Sequence, residues 1–434
     1  MNVTVFQAND GDCLLLTGAD GKTMLVDGGR KDSYRAHVAP ALGEMAQAQK
    51  ALDVVCLSHV DDDHIAGILQ MVDDFIDWRA YDFAVQSGNK RVRKPKFPRP
   101  PEVRALWHNG FQDEVVADMG RHEELLSIHM QACLLDQALI PQAEAYQDLV
   151  TGYKEAERLS SLVSPNLLAI PVNPPFKGGL MHVANPPVVI PLGAMQISII
   201  GPFLKDLEKL KKEWEAWSRD NQEALEKVRE DARREAERLH LDEGEMLHRF
   251  LFDLAAELGQ REKVTPPNLA SLMLLVEEED KTLLLTGDGH CDDILQGLRA
   301  HKKITDQQGI HVNVLKVQHH GAEYNINEEF CRWVTADHYI FCGNGSSGNP
   351  NLDVLQLIVD SRLLPEKVAD SKSPQADQPF KFWFNSSSKI IPPADRWEHM
   401  QKVEKLVRKA AKASHGKMKY TFLTKGFKLP PIVL

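Results

Sequence analysis

Two histidines and three aspartates crowd into one short stretch, Ser58-His59-Val60-Asp61-Asp62-Asp63-His64-Ile65-Ala66-Gly67-Ile68. Imidazole and carboxylate groups both ligate metals and both move protons. Burying His59, Asp61, Asp63 and His64 together is costly unless a cation takes their lone pairs and offsets the repulsion. A metal is the economical explanation. The plainer alternative is a solvated acidic loop in which Asp61 or Asp63 caps the next helix.

The surrounding pattern says how such residues would be held. An apolar strand, Leu52 to Leu57, runs into the loop, and a helical pattern opens at Ile65, Ile68 and Leu69. Strand ends recur with the same chemistry. Met24-Leu25-Val26 ends in Asp27-Gly28-Gly29, where Asp27 is either a turn residue or a buried acceptor that steadies the loops. Lys281 to Thr286 ends in Gly287-Asp288-Gly289, a carboxylate freed by flanking glycines and well placed to bridge two cations. His290 reads as a helix-start residue. Val312 to Val317 ends in Gln318-His319-His320-Gly321. His320, beside Gly321, is the favoured ligand with His319 its neighbour, an order that sequence leaves open.

These motifs, in this order, resemble the metallo-β-lactamase fold. The first stretch is similar to its second motif, His-x-His-x-Asp-His, in a variant with aspartate at the second ligand position, as in nuclease domains of the ComEC type found with bacterial DNA-uptake channels and their free-standing relatives. Asn9-Asp10-Gly11-Asp12 followed by Leu25 to Gly29 resembles the opening strands and first motif, Leu-Leu-Thr-Gly-Asp288 the bridging motif, and Leu-Lys-Val-x-His-His-Gly the final histidine motif. The resemblance implies an αββα sandwich of the α/β class with helical insertions and two divalent ions, Zn²⁺ or Mn²⁺, with Mg²⁺ also compatible. His59 and Asp61 would serve one ion and Asp63 and His64 the other, with Asp288 bridging and Asp27 in support; Asp61 and Asp63 are the residues tied most directly to the chemistry. Asp61 in place of an imidazole tilts one site toward harder cations. Two departures stand out: Asn268 falls where many members have a third-motif histidine, and Asn349-Pro350 replaces a late His-Pro.

With 434 residues, 43% hydrophobic and 26% charged, the chain reads as a globular protein of one enlarged domain or two. The core pieces are 1–72, 188–202 and 264–363, the insertions 73–187 and 203–263, and residues 364–434 an extension with a basic helix and a last strand. No apolar run is long enough to span a membrane and Met1 to Phe6 read as a strand, so the expected setting is cytoplasmic. Six scattered cysteines without a CxxC pair read as reduced, mostly buried thiols.

A net charge of −11 argues against indiscriminate nucleic-acid binding by the whole surface. The first insertion nevertheless carries Lys90, Arg91, Arg93, Lys94, Lys96 and Arg99 among prolines, with Phe97 available for stacking; this is either a solvated loop or a phosphate-contacting arm. The segment 204–261, rich in Lys, Glu, Ala and Leu with Trp214 and Trp217, reads as helical and offers packing against the body, a protein partner or a second copy. The expected function is a hydrolase, foremost a phosphodiesterase or nuclease on DNA using a metal-activated water. The alternatives are a phosphodiesterase for a small cyclic nucleotide and a partner-controlled defence or regulatory component with a structural metal site.

Overall fold

The computed structural model describes residues 1–87, 93–109, 159, 162–163, 168–204, 207, 270–391 and 395–434. Asn268, Lys90, Arg91 and nearly all of 204–261 therefore lie outside the described residues.

Fourteen strands among the described residues form two sheets. The first contains β1 (Asn2–Val5), β2 (Leu14–Thr17), β3 (Thr23–Val26), β4 (Val54–Cys56), β5 (Leu106–Trp107) and β14 (Ile432–Val433), in the order β14-β1-β2-β3-β4-β5. The tight turn between β2 and β3 needs Gly21 at φ +83°. The second sheet contains β6 (Val189–Leu192), β7 (Met195–Gly201), β8 (Met273–Glu278), β9 (Lys281–Leu285), β10 (Ile310–Lys316), β11 (Val334–Phe341), β12 (Phe380–Phe384) and β13 (Met418–Phe422). Its order is β13-β12-β11-β10-β9-β8-β7-β6, antiparallel from β6 to β9 and parallel from β9 to β13. Strands β12, β13 and β14, all after residue 363, are thus built into the two sheets.

Parallel neighbours require crossovers, and helices supply them. In chain order the longer helices are α1 (Ala39–Gln47), α2 (Asp62–Gln86), α3 (Cys291–Ala300), α4 (Glu328–Trp333), α5 (Leu352–Leu363), α6 (Pro365–Asp370) and α7 (Asp395–Ala413). Alternation along the strands sorts side chains into layers. Met24, Val26, Val54 and Cys56 face Ile197, Leu274, Val276, Leu283 and Val314 between the sheets. Leu25 and Val55 point the other way, onto Leu42, Ile65 and Ile68 of α1 and α2. On the far side, Leu284, Leu315 and Phe341 meet Ile294, Leu355, Met400 and Val403 of α3, α5 and α7. The result is four layers, helix, sheet, sheet, helix, in which β4, β9 and β10 end at one shared edge. The described cysteines are buried free thiols, and no described helix is long and apolar enough to cross a membrane.

Candidate metal centre

The loop after β4 is fastened to the loop after β3 through two glycines. Gly28 N donates to His64 O (2.9 Å) and Gly67 N to Gly29 O (2.8 Å). A Cβ on Gly67 would sit 2.0 Å from Gly28 O. Only glycine permits this crossing, and the crossing sets the first turn of α2 against Asp27.

Asp27 in turn orders the histidines. Its Oδ1 accepts from Ser58 N (2.7 Å), and its Oδ2 lies 2.7 Å from Ser58 Oγ and 2.9 Å from His64 Nδ1. With Ser58 Oγ donating to Asp27, its lone pair faces His59 Nδ1 at 3.0 Å. Both imidazoles are thereby set as Nδ1–H tautomers with Nε2 as a lone-pair donor, as metal-ligating histidines generally are.

From the second sheet, Asp288 follows β9 and His319 and His320 follow β10. Both histidines occupy the left-handed region, at φ 44° and 55°, so consecutive rings turn toward the same edge. His319 Nδ1 lies 2.9 Å from Asn325 Oδ1 and His320 Nδ1 lies 3.2 Å from Asp12 Oδ1. The four rings meet at one atom: the Nε2 atoms of His59, His64, His319 and His320 lie 3.6, 3.5, 3.6 and 3.4 Å from Asp288 Oδ2. Asp63 Oδ2 stands 3.1 Å from His320 Nε2 and 3.6 Å from His64 Nε2, and Asp61 Oδ2 is 3.5 Å from His59 Nε2.

Hydrogen bonds do not account for this convergence. The Nε2 atoms of His59, His64 and His320 and Oδ1 of Asp61 are buried without a hydrogen-bond partner, at positions where such groups are ordinarily satisfied. Asp61 occupies the N-cap position of α2, yet its side chain makes no capping bond, so capping does not explain it. A divalent cation fits this donor set of imidazole nitrogens and carboxylate oxygens.

Electrostatics agree. Burial alone would raise the carboxyls, but Asp63, beside His64 and His320, and Asp288, beside His320, His319 and His64, are held well below the usual range. Burial would lower the imidazoles, yet the carboxylates around His64 and His320 raise both well above their ordinary value. The carboxylates are therefore ionised, and protons and cations compete for the same nitrogens.

Asp12, Lys316, Ser58 and Asn325 are the residues that sequence reasoning missed. Asp12, His64, Asp288 and His320 are all buried, with ligand-capable atoms within 4.8 Å of one another. Asp12, however, stands behind His320 and is paired with buried Lys316, which also lies 3.4 Å from Asp288 Oδ1 and 3.0 Å from Gly287 O. Burial pushes Asp12 up, but Lys316 and then His320 bring it down to about 2. We therefore read Asp12 as support for an imidazole. The available signals were the aspartate closing the Asn9–Asp12 turn and the single cation inside the apolar run of β10.

A second group, His290, Cys291 and Asp292, also clusters. His290 is the N-cap of α3 and accepts from Asp292 N, as expected. Burial and Asp292 push the Cys291 thiol up to about 12, so it stays protonated. The basic arm packs on α2: the Arg99 guanidinium lies 4.5 Å over the Trp78 ring and pairs with Asp82, Lys94 lies 5.7 Å over the same ring, and Arg35 lies 5.4 Å over Phe97.

Residues 7–77 match the model of the Metallo-beta-lactamase superfamily. No curated protein matches the chain. The two helix-covered sheets form a metallo-β-lactamase-type α/β sandwich, and the matched segment covers Asp27 and the whole loop from Ser58 to His64. Match and site together support a metal-dependent hydrolase.

Proposed function

We propose that the protein is a metal-dependent phosphodiesterase acting on nucleic acid, DNA foremost. The observation that carries this reading is the meeting of four imidazole nitrogens on Asp288 Oδ2, flanked by Asp61 and Asp63. His59, Asp61, Asp63, His64, Asp288, His319 and His320 would hold two divalent ions. When bound, such ions supply Lewis acidity toward a phosphoryl oxygen and lower the pKa of water.

The chain's own residues do the rest. Asp27 and Ser58 fix the tautomers of His64 and His59. Lys316 occupies Asp288 Oδ1 and leaves Oδ2 for the centre. Asp61, where an imidazole would be softer, makes one part of the donor set more oxygen-rich and tilts it toward harder cations. Arg93 and Lys96 of the basic arm are exposed and stay available to a phosphate backbone, with Arg99 and Lys94 held on Trp78.

Elemental analysis of the purified protein, followed by single-stranded DNA, double-stranded DNA, RNA and cyclic nucleotides assayed side by side with Mn²⁺, Mg²⁺ and Zn²⁺, tests the reading. One to two equivalents of divalent metal and turnover of DNA are expected. Turnover confined to a cyclic nucleotide would move the substrate to small molecules. Less than about half an equivalent of metal, with no thermal stabilisation by added ions, would remove the metal reading.

A further inference from the structure

We propose that helix α7 is an electrostatic track that leads a nucleic-acid backbone to the metal edge. The inference rests on the phosphodiesterase reading for its substrate class and adds where the substrate lies. Residues 395–434 contain ten lysines and arginines against three acidic residues, in a chain whose net charge is −11. Along α7, Met400, Val403 and Val407 are buried in the outer core. Lys402, Lys405, Lys409 and Lys412 are exposed. Their spacing of three and four residues puts them on one face.

A solvated helix face normally alternates charges. Here the only acid from Gln401 to Tyr420 is Glu404, which is buried and bound to Arg408. None of the four lysines makes an ion pair with a described residue. Attraction of a late-helix cation to the helix dipole covers Lys412 in the last turn, but not Lys402 or Lys405. The stripe spans about 15 Å by helix rise, close to the axial length of four or five nucleotides in one strand.

The direction of the stripe ties it to the site. Helix α7 connects β12 to β13, two parallel strands whose C-terminal ends lie at the metal edge, so its first turn is at that edge and its last at the opposite one. His399 Nε2 donates to Pro350 O (2.9 Å). Pro350 in turn sits against Gly321, the residue after His320. At this end Arg396, His399, Ser346 and Ser347 line an open cavity of about 380 Å³. Gly348, another lining residue, is two residues from Pro350, at most about 7 Å along the chain. A phosphate next to the one being cleaved would find a guanidinium and two hydroxyls there.

The test is fluorescence anisotropy of a labelled single-stranded oligodeoxynucleotide with the full chain in EDTA, from about 50 to 200 mM salt. The variant Lys402→Gln/Lys405→Gln/Lys409→Gln/Lys412→Gln should bind at least tenfold more weakly. Its log–log salt slope should be shallower by about 0.7 for each lost contact. Arg93→Gln/Lys94→Gln/Lys96→Gln is the comparator and should change the slope less. An unchanged slope in the helix variant, or a larger change in the comparator, overturns the track. So does binding of phosphatidylserine-rich vesicles with the same lysine dependence and no oligonucleotide binding. If the wild type hydrolyses bis(p-nitrophenyl) phosphate but binds no oligonucleotide, the track falls and the phosphodiesterase stands. Lysine-dependent oligonucleotide binding with no phosphodiester hydrolysed by the metal-loaded wild type gives the reverse.

Discussion

Strand β10 carries histidine at both ends, and the two ends are chemically opposite. His311, its second residue, has a side chain only 5% exposed, but its Nδ1 lies 2.8 Å from Thr335 Oγ1 and its Nε2 lies 3.0 Å from Asp337 Oδ1. Both nitrogens are spoken for, and the ring serves the sheet. His320, just past the other end, is as deeply placed, yet neither of its ring nitrogens makes a well-aligned hydrogen bond. Burial does not distinguish a structural imidazole from a ligand; unspent lone pairs do.

The sharpest way to break this contrast is to remove the atom on which the rings converge. Asp288→Asn is expected to lower hydrolysis by roughly 100-fold or more and to cut bound metal below half an equivalent, because the amide cannot bridge two cations. His311→Gln, on the neighbouring strand β10, should leave metal content at the wild-type value. Initial rates and elemental analysis on the two variants decide it; equal metal loss in both would erase the distinction.

A third imidazole extends the comparison. His108, just after β5, is buried, and burial alone pushes it down to about 4 from 6.5. The unfolded chain therefore binds a proton between these values and the folded chain does not. Stability from this residue is fully present above pH 6.5 and is lost as pH falls toward 4, at about 1.4 kcal/mol per pH unit and about 3 kcal/mol in all. His108→Gln should flatten that part of the curve in urea unfolding between pH 7 and 4.5. A variant as acid-sensitive as the wild type would assign the loss elsewhere.

The smallest expected effect concerns the support of a ligand. Asp27→Asn keeps the size of the side chain but weakens its hold on His64 Nδ1 and Ser58, and such changes typically cost 10- to 100-fold in metal affinity. Competition with a chelating dye measures it. Unchanged affinity would mean that the backbone crossing at Gly28 and Gly67 positions His64 by itself.

These contrasts also mark how far the sequence could be read. The loop from His59 to His64, Asp288, and His319 and His320 after β10 are local signals: ligand-type side chains at the end of an apolar strand. Helix α5 was legible for the same reason, with its apolar spacing from Leu352 to Leu363 intact. The partner of His320 was not. Asp12 is 308 residues away in sequence, and only the packing of the two sheets brings it there. Strand β5 is hidden because two residues, Leu106–Trp107, carry no periodicity, and it lies inside the stretch 73–187 that reads as an insertion. Lys316 reads as an anomaly in an apolar strand until Asp12 and Asp288 are placed around it.

The two halves of the centre are separated by more than two hundred residues, and this bears on how the protein is made. A nascent chain presents His59, Asp61, Asp63 and His64 long before Asp288, His319 and His320 have been synthesised. Half a donor set binds a cation only weakly, because the site does not exist until the second sheet docks on the first. With the proposed centre, firm metal retention would report assembly of both sheets, and a chain stalled before residue 320 would be left without the cation that fastens its halves together. Loading of the proposed centre would then act as a built-in inspection of the finished fold.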